Sequence, residues 1–321
     1  MSRPVFLSGH RGHVWCCSFN TNCDLLASSS SDETVRVWDV STGRAVVVFE
    51  DHVGVVHACH FCPHSNLLAS CSWDRTTRIR DVTTGLAEIV LGGHEYGTVN
   101  CRFSPDGRLL ATCSWDNATC LWDFRNTSKP LICSLKEHRA PVVSASFSLD
   151  CRTLATSSWD RTVRVWDIAG SERTLSLVGH TDVVWCVAHS SCFANIVASC
   201  SRDRQVIIWD TEQASELYRY SEMAGEVHGV CFSANASYLA AGVGDSNVYI
   251  QDTEHAGKHY ILQGHRGAVY SCCFAAGDQC LATASADKLV GLWELGSYFS
   301  KESGIDGLVD SMNSFSLLDD V

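Results

Sequence analysis

A chain of 321 residues, 45% of them hydrophobic and 19% charged, carries enough apolar material for a sizeable core, which excludes extensive disorder. Its formal net charge of −12 excludes counterion release from nucleic-acid phosphates as the main drive for binding, and no apolar run approaches the roughly 18 residues of a membrane span. The 18 cysteines are scattered through apolar runs, as reduced thiols of a soluble intracellular core would be, and Cys59-x-x-Cys62 lacks the second pair a zinc site needs.

The first element is a short apolar strand, Pro4-Val5-Phe6-Leu7, just ahead of Gly9-His10. A strand ending in small residues follows, Leu25-Leu26-Ala27-Ser28-Ser29-Ser30-Ser31, then Asp32, then an alternating strand ending in Trp38-Asp39. The frame recurs with its Asp at Asp74, Asp116, Asp160, Asp203, Asp245 and Asp287, a period of 42 to 44 residues that marks a repeat architecture. In chain order the opening pair is Gly9-His10, Asp51-His52, Gly93-His94, Glu137-His138, Gly179-His180, then Met223 in the histidine position, then Gly264-His265. The closing pair is Trp38-Asp39, Arg80-Asp81, Trp122-Asp123, Trp166-Asp167, Trp209-Asp210, Gln251-Asp252 and Trp293-Glu294. After Leu295 the pattern stops, and residues 296–321 hold five acids against one lysine, with room for a marginal helix over Ile305 to Leu318.

These Gly-His and Trp-Asp pairs at this period resemble the WD-repeat family over residues 1 to about 295. The resemblance implies an all-β fold, a single seven-bladed WD40 β-propeller of four-stranded antiparallel blades, followed by an acidic, flexible tail over 296–321. The N-terminal strand is expected to join the last blade, closing the ring and hiding its edges. It further implies a hydrogen-bonded group in each blade made of the His, the turn Asp, the Trp and the Ser two residues before the Asp. That Ser is Ser30, Ser72, Ser114, Ser158, Ser201 and Ser285, with Val243 in repeat six. Repeats one, three, four and five, and nearly the seventh, are expected to complete this group; repeats two and six are not. The carboxylate would satisfy backbone donors of a sharp turn. His, Ser and Asp together suggest a hydrolase triad, but a catalytic nucleophile is singular and these groups recur, so no enzyme activity is expected.

Five of the ten tryptophans lie outside the structural position: Trp73, Trp115 and Trp159 directly precede the turn Asp, and Trp15 and Trp185 lie five residues after the opening His. In WD-repeat propellers both positions open onto the top face, where His57, His228, Tyr270 and Arg202 would join them, beside Val99 and Val143. Exposed aromatics and arginine of this kind suit a binding site for peptide or loop segments of other proteins, or for an Arg or Lys side chain stacked on indole. The alternative is that the tryptophans pack on loops and seal the disc. Trp122, Asp123 and Arg125 resemble the box by which some WD-repeat proteins dock onto the adaptor of a cullin-RING ubiquitin ligase, giving a substrate receptor as the second functional reading. Asp319-Asp320-Val321 would suit a carboxylate-capturing domain. The expected partners are proteins, in a multi-subunit complex of cytoplasm or nucleus, with no cofactor, metal, nucleic acid or membrane.

Overall fold

The computed structural model describes residues 4–126, 128–168, 174–221, 223–253 and 258–296. The tail helix and the terminal Asp-Asp-Val motif lie outside them. Among the described residues the chain forms 28 strands, numbered β1 to β28 in chain order, in seven four-stranded antiparallel sheets. Among the described residues no helix is long and apolar enough to cross a membrane.

The first blade shows the plan. It is built from β2 (Val14–Phe19), β3 (Leu25–Ser30), β4 (Val35–Asp39) and β5 (Ala45–Phe49). Strand β3 is buried almost throughout, because a propeller sheet is covered on both faces by its neighbours. Its small residues, Ala27 and Ser28 to Ser30, let the next blade approach closely. Strand β5 lies outermost and exposes Val46 and Val48. The core is accordingly divided into apolar layers between blades. Val35, Val37 and Phe49 of blade one pack on Val56, Phe61 and Leu68 of blade two, and this layer is repeated round the ring.

Ring closure follows the expected route. Strand β1 (Val5–Leu7) pairs antiparallel with β28 (Val290–Glu294), Val5 opposite Leu292 and Leu7 opposite Val290, to complete the seventh blade with β26 (Val269–Phe274) and β27 (Cys280–Ser285). Leu7 then shares a layer with Trp38 and Leu26 of blade one and with Leu292, so one short strand ties both ends together. All 18 cysteines are free, most of them inside these layers.

Two local devices recur in every blade. The residue after the turn Asp adopts a left-handed conformation without being glycine: Glu33, Arg75, Asn117, Arg161, Arg204, Ser246 and Lys288 have φ between 67° and 74°. Each costs roughly 1–2 kcal/mol, and the Asp holds it. In blade one the Asp32 carboxylate accepts the Thr34 amide (3.0 Å) two residues ahead and the Arg11 amide (2.7 Å) from the preceding loop. The second device is a β-bulge at the second residue of each innermost strand. In β2 the register steps from Val14 opposite Ser30 to Cys16 opposite Ser29, leaving Trp15 unpaired. Bulges re-aim side chains, and these aim toward the mouth of the central channel.

Candidate functional site

Inside the blades the hydrogen-bonded group is present, with one correction to its membership. In blade one His10 Nδ1 lies 3.0 Å from Asp32, while His10 Nε2 and Trp38 Nε1 meet on Ser28 Oγ, each at 2.8 Å. The bridging hydroxyl therefore sits four residues before the Asp, not two. The reason is register: Trp38 is opposite Leu26, so its indole reaches residue 28 on the same face and falls short of Ser30. Ser30 instead accepts the Asp32 amide at 3.1 Å. Because an indole only donates, the bonds run from Trp38 N–H to Ser28, from Ser28 O–H to His10, and from His10 N–H to Asp32. Thr112, Thr156, Ser199 and Thr283 bridge in the same way in blades three, four, five and seven, so the seventh is complete.

Blade two also builds the group, against expectation. Arg80 takes the place of the Trp, donating to Ser70 at 2.7 Å and pairing with Asp51 at 2.6 Å, while His52 joins Ser70 (2.8 Å) to Asp74 (2.7 Å). Blade six lacks it, with Met223, Ala241 and Gln251 in the three positions. There Asp245 is held by Asn247 (3.0 Å) and the Tyr249 hydroxyl (2.8 Å).

The turn carboxylates link the fold to pH. Burial opposes the ionisation of Asp32, but hydrogen bonds from His10, Thr34 and the Arg11 amide outweigh it and hold the carboxyl well below its ordinary 3.8; Asp74, Asp116, Asp160, Asp203 and Asp287 are lowered likewise. Burial also pushes His57 and His189 from 6.5 down to about 4, so both are neutral in the fold and protonate on unfolding. Both kinds of group bind more protons when unfolded, so stability falls as pH falls. The urea midpoint is expected to decline first from about pH 6.5 towards 4, from the histidines, and more steeply below about pH 3.8, from the carboxylates. A midpoint flat from pH 7 down to pH 4 would contradict the histidine contribution.

On the top face the side chains are brought together into a closed ring. Going round the channel, ring centroids are separated by 5.1 Å from Trp73 to Trp115, 4.8 Å to Trp159, 5.7 Å to Trp185, 5.8 Å to His228 and 5.3 Å to Tyr270. Tyr270 stacks on Trp15 at 4.3 Å, Trp15 meets His57 at 5.0 Å, and His57 returns to Trp73 at 5.9 Å, accepting the Trp73 indole N–H. Trp15, His57, Trp185, His228 and Tyr270 are bulge residues, while Trp73, Trp115 and Trp159 stand where the next strand enters its turn. Gly97 makes room for Trp73, since a Cβ there would come within 3.2 Å of it.

The rings surround a cavity of about 610 Å³ that Val99 and Val143 also line. Trp73 is 45% exposed and the other seven aromatics are half-buried, packed on one another. The indole N–H groups of Trp15, Trp159 and Trp185 are buried without a hydrogen-bond acceptor. Such a donor costs about 1–3 kcal/mol, which leucine or phenylalanine would avoid if sealing the disc were the purpose.

Arg202 does not join them: it is 54% exposed and paired with Glu226 at 3.2 Å and Asp182 at 3.8 Å. Arg102, which composition alone did not single out, does line the cavity. The signal for it was positional, an arginine three residues below the bulge on an innermost strand. Of the residues resembling the docking box, Trp122 is buried with its N–H on Thr112, Asp123 accepts the Arg125 amide at 3.2 Å, and the exposed Arg125 guanidinium is tethered to the Gly107 carbonyl at 3.0 Å. Among the described residues no group of His, Cys, Asp and Glu could hold a metal ion.

Comparison with known proteins adds two findings. The chain is 46% identical over 43 residues to eukaryotic translation initiation factor 3 subunit I of Neosartorya fischeri and 40% identical over 42 residues to that of Schizosaccharomyces pombe, 13% of either chain in each case. These matches are one repeat long and span about an eighth of the relatives. The model of the WD domain, G-beta repeat, matches residues 2–39, 43–81, 87–123, 129–167, 171–210, 215–252 and 257–294, one match per blade, and the chain belongs to that family.

Proposed function

We propose that the protein is a non-enzymatic interaction platform whose aromatic cup receives a peptide or loop segment of a partner protein. The observation that carries this reading is the closed ring of eight aromatic side chains around a cavity of about 610 Å³. Each indole can bury about 150–250 Å², and several together form the kind of apolar concavity that holds binding hot spots. Work inside a multi-subunit assembly fits the relatives, which are named as subunits of an initiation factor, although the likeness extends over one repeat only.

Affinity capture with mass spectrometry, comparing wild type with Trp115→Ala/Trp159→Ala, tests the reading. Specific partners should be lost from the double variant, since truncating a hot-spot aromatic costs about 2 kcal/mol or more. Partners retained at unchanged affinity would overturn it. The ligase-receptor reading has its own arm in Arg125→Ala: Trp122 is interior and the guanidinium already serves Gly107, so the captured set is expected not to change. Loss of a ligase adaptor from that variant alone would reverse the ranking of the two readings.

A further inference from the structure

Arg102 belongs neither to the hydrogen-bonded groups nor to the aromatic ring, yet it lines the cup. It is the fifth residue of β10 (Thr98–Phe103), three positions below the bulge residue Val99, hence roughly 10 Å further along the strand at ~3.3 Å per residue. The other six innermost strands hold Ser18, His60, Ser146, Ala188, Cys231 and Cys273 at this level, so the layer contains one guanidinium. Among the described residues that guanidinium forms no hydrogen bond and no ion pair, and no Asp or Glu lines the cavity. Arg80 and Arg164, by contrast, are paired with Asp51 and Glu137. Burial holds His57 and His228 below the ordinary histidine value, so near neutral pH neither adds charge. A chain of net charge −12 thus keeps at the bottom of the cup a guanidinium that no carboxylate neutralises, with only thiols such as those of Cys16 and Cys186 acting on its charge.

We propose that Arg102 is the anion-binding floor of the cup, and that the partner segment presents to it one aspartate or glutamate side chain flanked by apolar residues that lie on the surrounding rings. This rests on the cup being the binding site, as proposed above. A planar carboxylate matches the guanidinium fork with two parallel hydrogen bonds, and one carboxylate balances one guanidinium. A phosphate, at about −1.5 to −2, would bring more charge than a single arginine offsets. The thiols of Cys16 and Cys186 line the same cavity and oppose any anion there, a doubly charged one more than a carboxylate. Contact with Cys59 and Cys200 respectively, against burial, lowers each to about 6, and the field of Arg102 contributes. A cationic side chain, attractive for the indoles alone, is disfavoured by the like charge below them.

The test is selection of random dodecapeptides, displayed with both ends joined to the carrier so that side chains supply the only carboxylates. It is run against wild type, Arg102→Met, Arg102→Lys and Trp115→Ala/Trp159→Ala, with thermal unfolding of each and Arg102→Gln replacing Arg102→Met if that variant does not fold. Wild type is expected to enrich peptides with one shared acidic position among apolar ones. Changing that acid to its amide should weaken binding about tenfold or more on wild type and less than about twofold on Arg102→Met, while Arg102→Lys keeps the acidic preference. Enriched peptides without a shared acid, or an acid-to-amide change equally costly on Arg102→Met, would overturn the role of Arg102 and leave the cup standing. Peptides that bind the double tryptophan variant as well as wild type would overturn the cup itself, and so would the absence of any enriched peptide.

Discussion

Deletion of residues 1–8 is expected to abolish the folded propeller, not to loosen one blade. Strand β1 is only three residues long, but Leu7 is 3% exposed in the layer shared with Trp38 and Leu292, and Phe6 meets His265 and Trp293 edge-on at 5.1 and 5.9 Å. Replacing a buried Leu or Phe by Ala costs about 2–5 kcal/mol each, against a total stability of about 5–15 kcal/mol. The deletion also strips β28 of its ladder partner and turns it into an open edge. Circular dichroism and size-exclusion chromatography should therefore show loss of the cooperative transition and self-association. Hydrogen exchange accelerated only within residues 259–294, with the other blades still protected, would show that the ring does not depend on closure. The milder variant Phe6→Ala/Leu7→Ala should keep the fold while lowering the urea midpoint substantially.

The second large effect is expected in blade two. Arg80 is wholly buried and its charge is met by Asp51, itself 36% exposed on its side chain. Breaking a fully buried ion pair costs about 3–5 kcal/mol, so Asp51→Ala, with water able to reach the vacated side, should cost about 2–3 kcal/mol. The position of Asp51 explains why the pair exists. In the blades that use Trp, the residue before the His is Gly in four of five, and a Cβ there would come within 2.8 to 3.3 Å of the indole edge at Gly9, Gly93, Gly179 and Gly264. Blade four, with Glu137 beside Trp166, accommodates the side chain by turning it to Arg164. Blade two has exchanged both members together. Asp51→Gly and Arg80→Trp should each destabilise when made alone, while the double variant should recover most of the loss and restore the plan of blade one. Urea unfolding of the four proteins measures the coupling directly. Additive losses would mean that the two positions are independent.

Much of the architecture is legible because the turn Asp is needed in every blade. It holds a left-handed residue at each of the seven turns, so it recurs even in blade six, where the His and Trp are gone. The bridging hydroxyl was misplaced because both candidate positions are hydroxylic in six repeats. Only the register of Trp38 against Leu26 separates Ser28 from Ser30, and register is a property of pairing, not of one strand. Blade two was misjudged because Arg80 looks like the loss of a Trp until Asp51, 29 residues away, is seen beside it. Position in the repeat placed eight aromatics on the top face, and they do meet there. The same reasoning put Arg202 with them, but Glu226 and Asp182 draw its guanidinium aside. Arg102 escaped because the depth of the channel enters no count of exposed-face residues.

The bulge at the head of each innermost strand has a consequence for how such a ring can change. A residue lifted out of the ladder answers to no cross-strand partner, so its side chain is not constrained by the layer below. The seven bulges hold Trp15, His57, Val99, Val143, Trp185, His228 and Tyr270, a wide spread of size and polarity. Under the proposed binding role they act as seven interchangeable sockets on a fixed frame. A new ligand preference can be written into them one at a time while the blades beneath continue to fold as before.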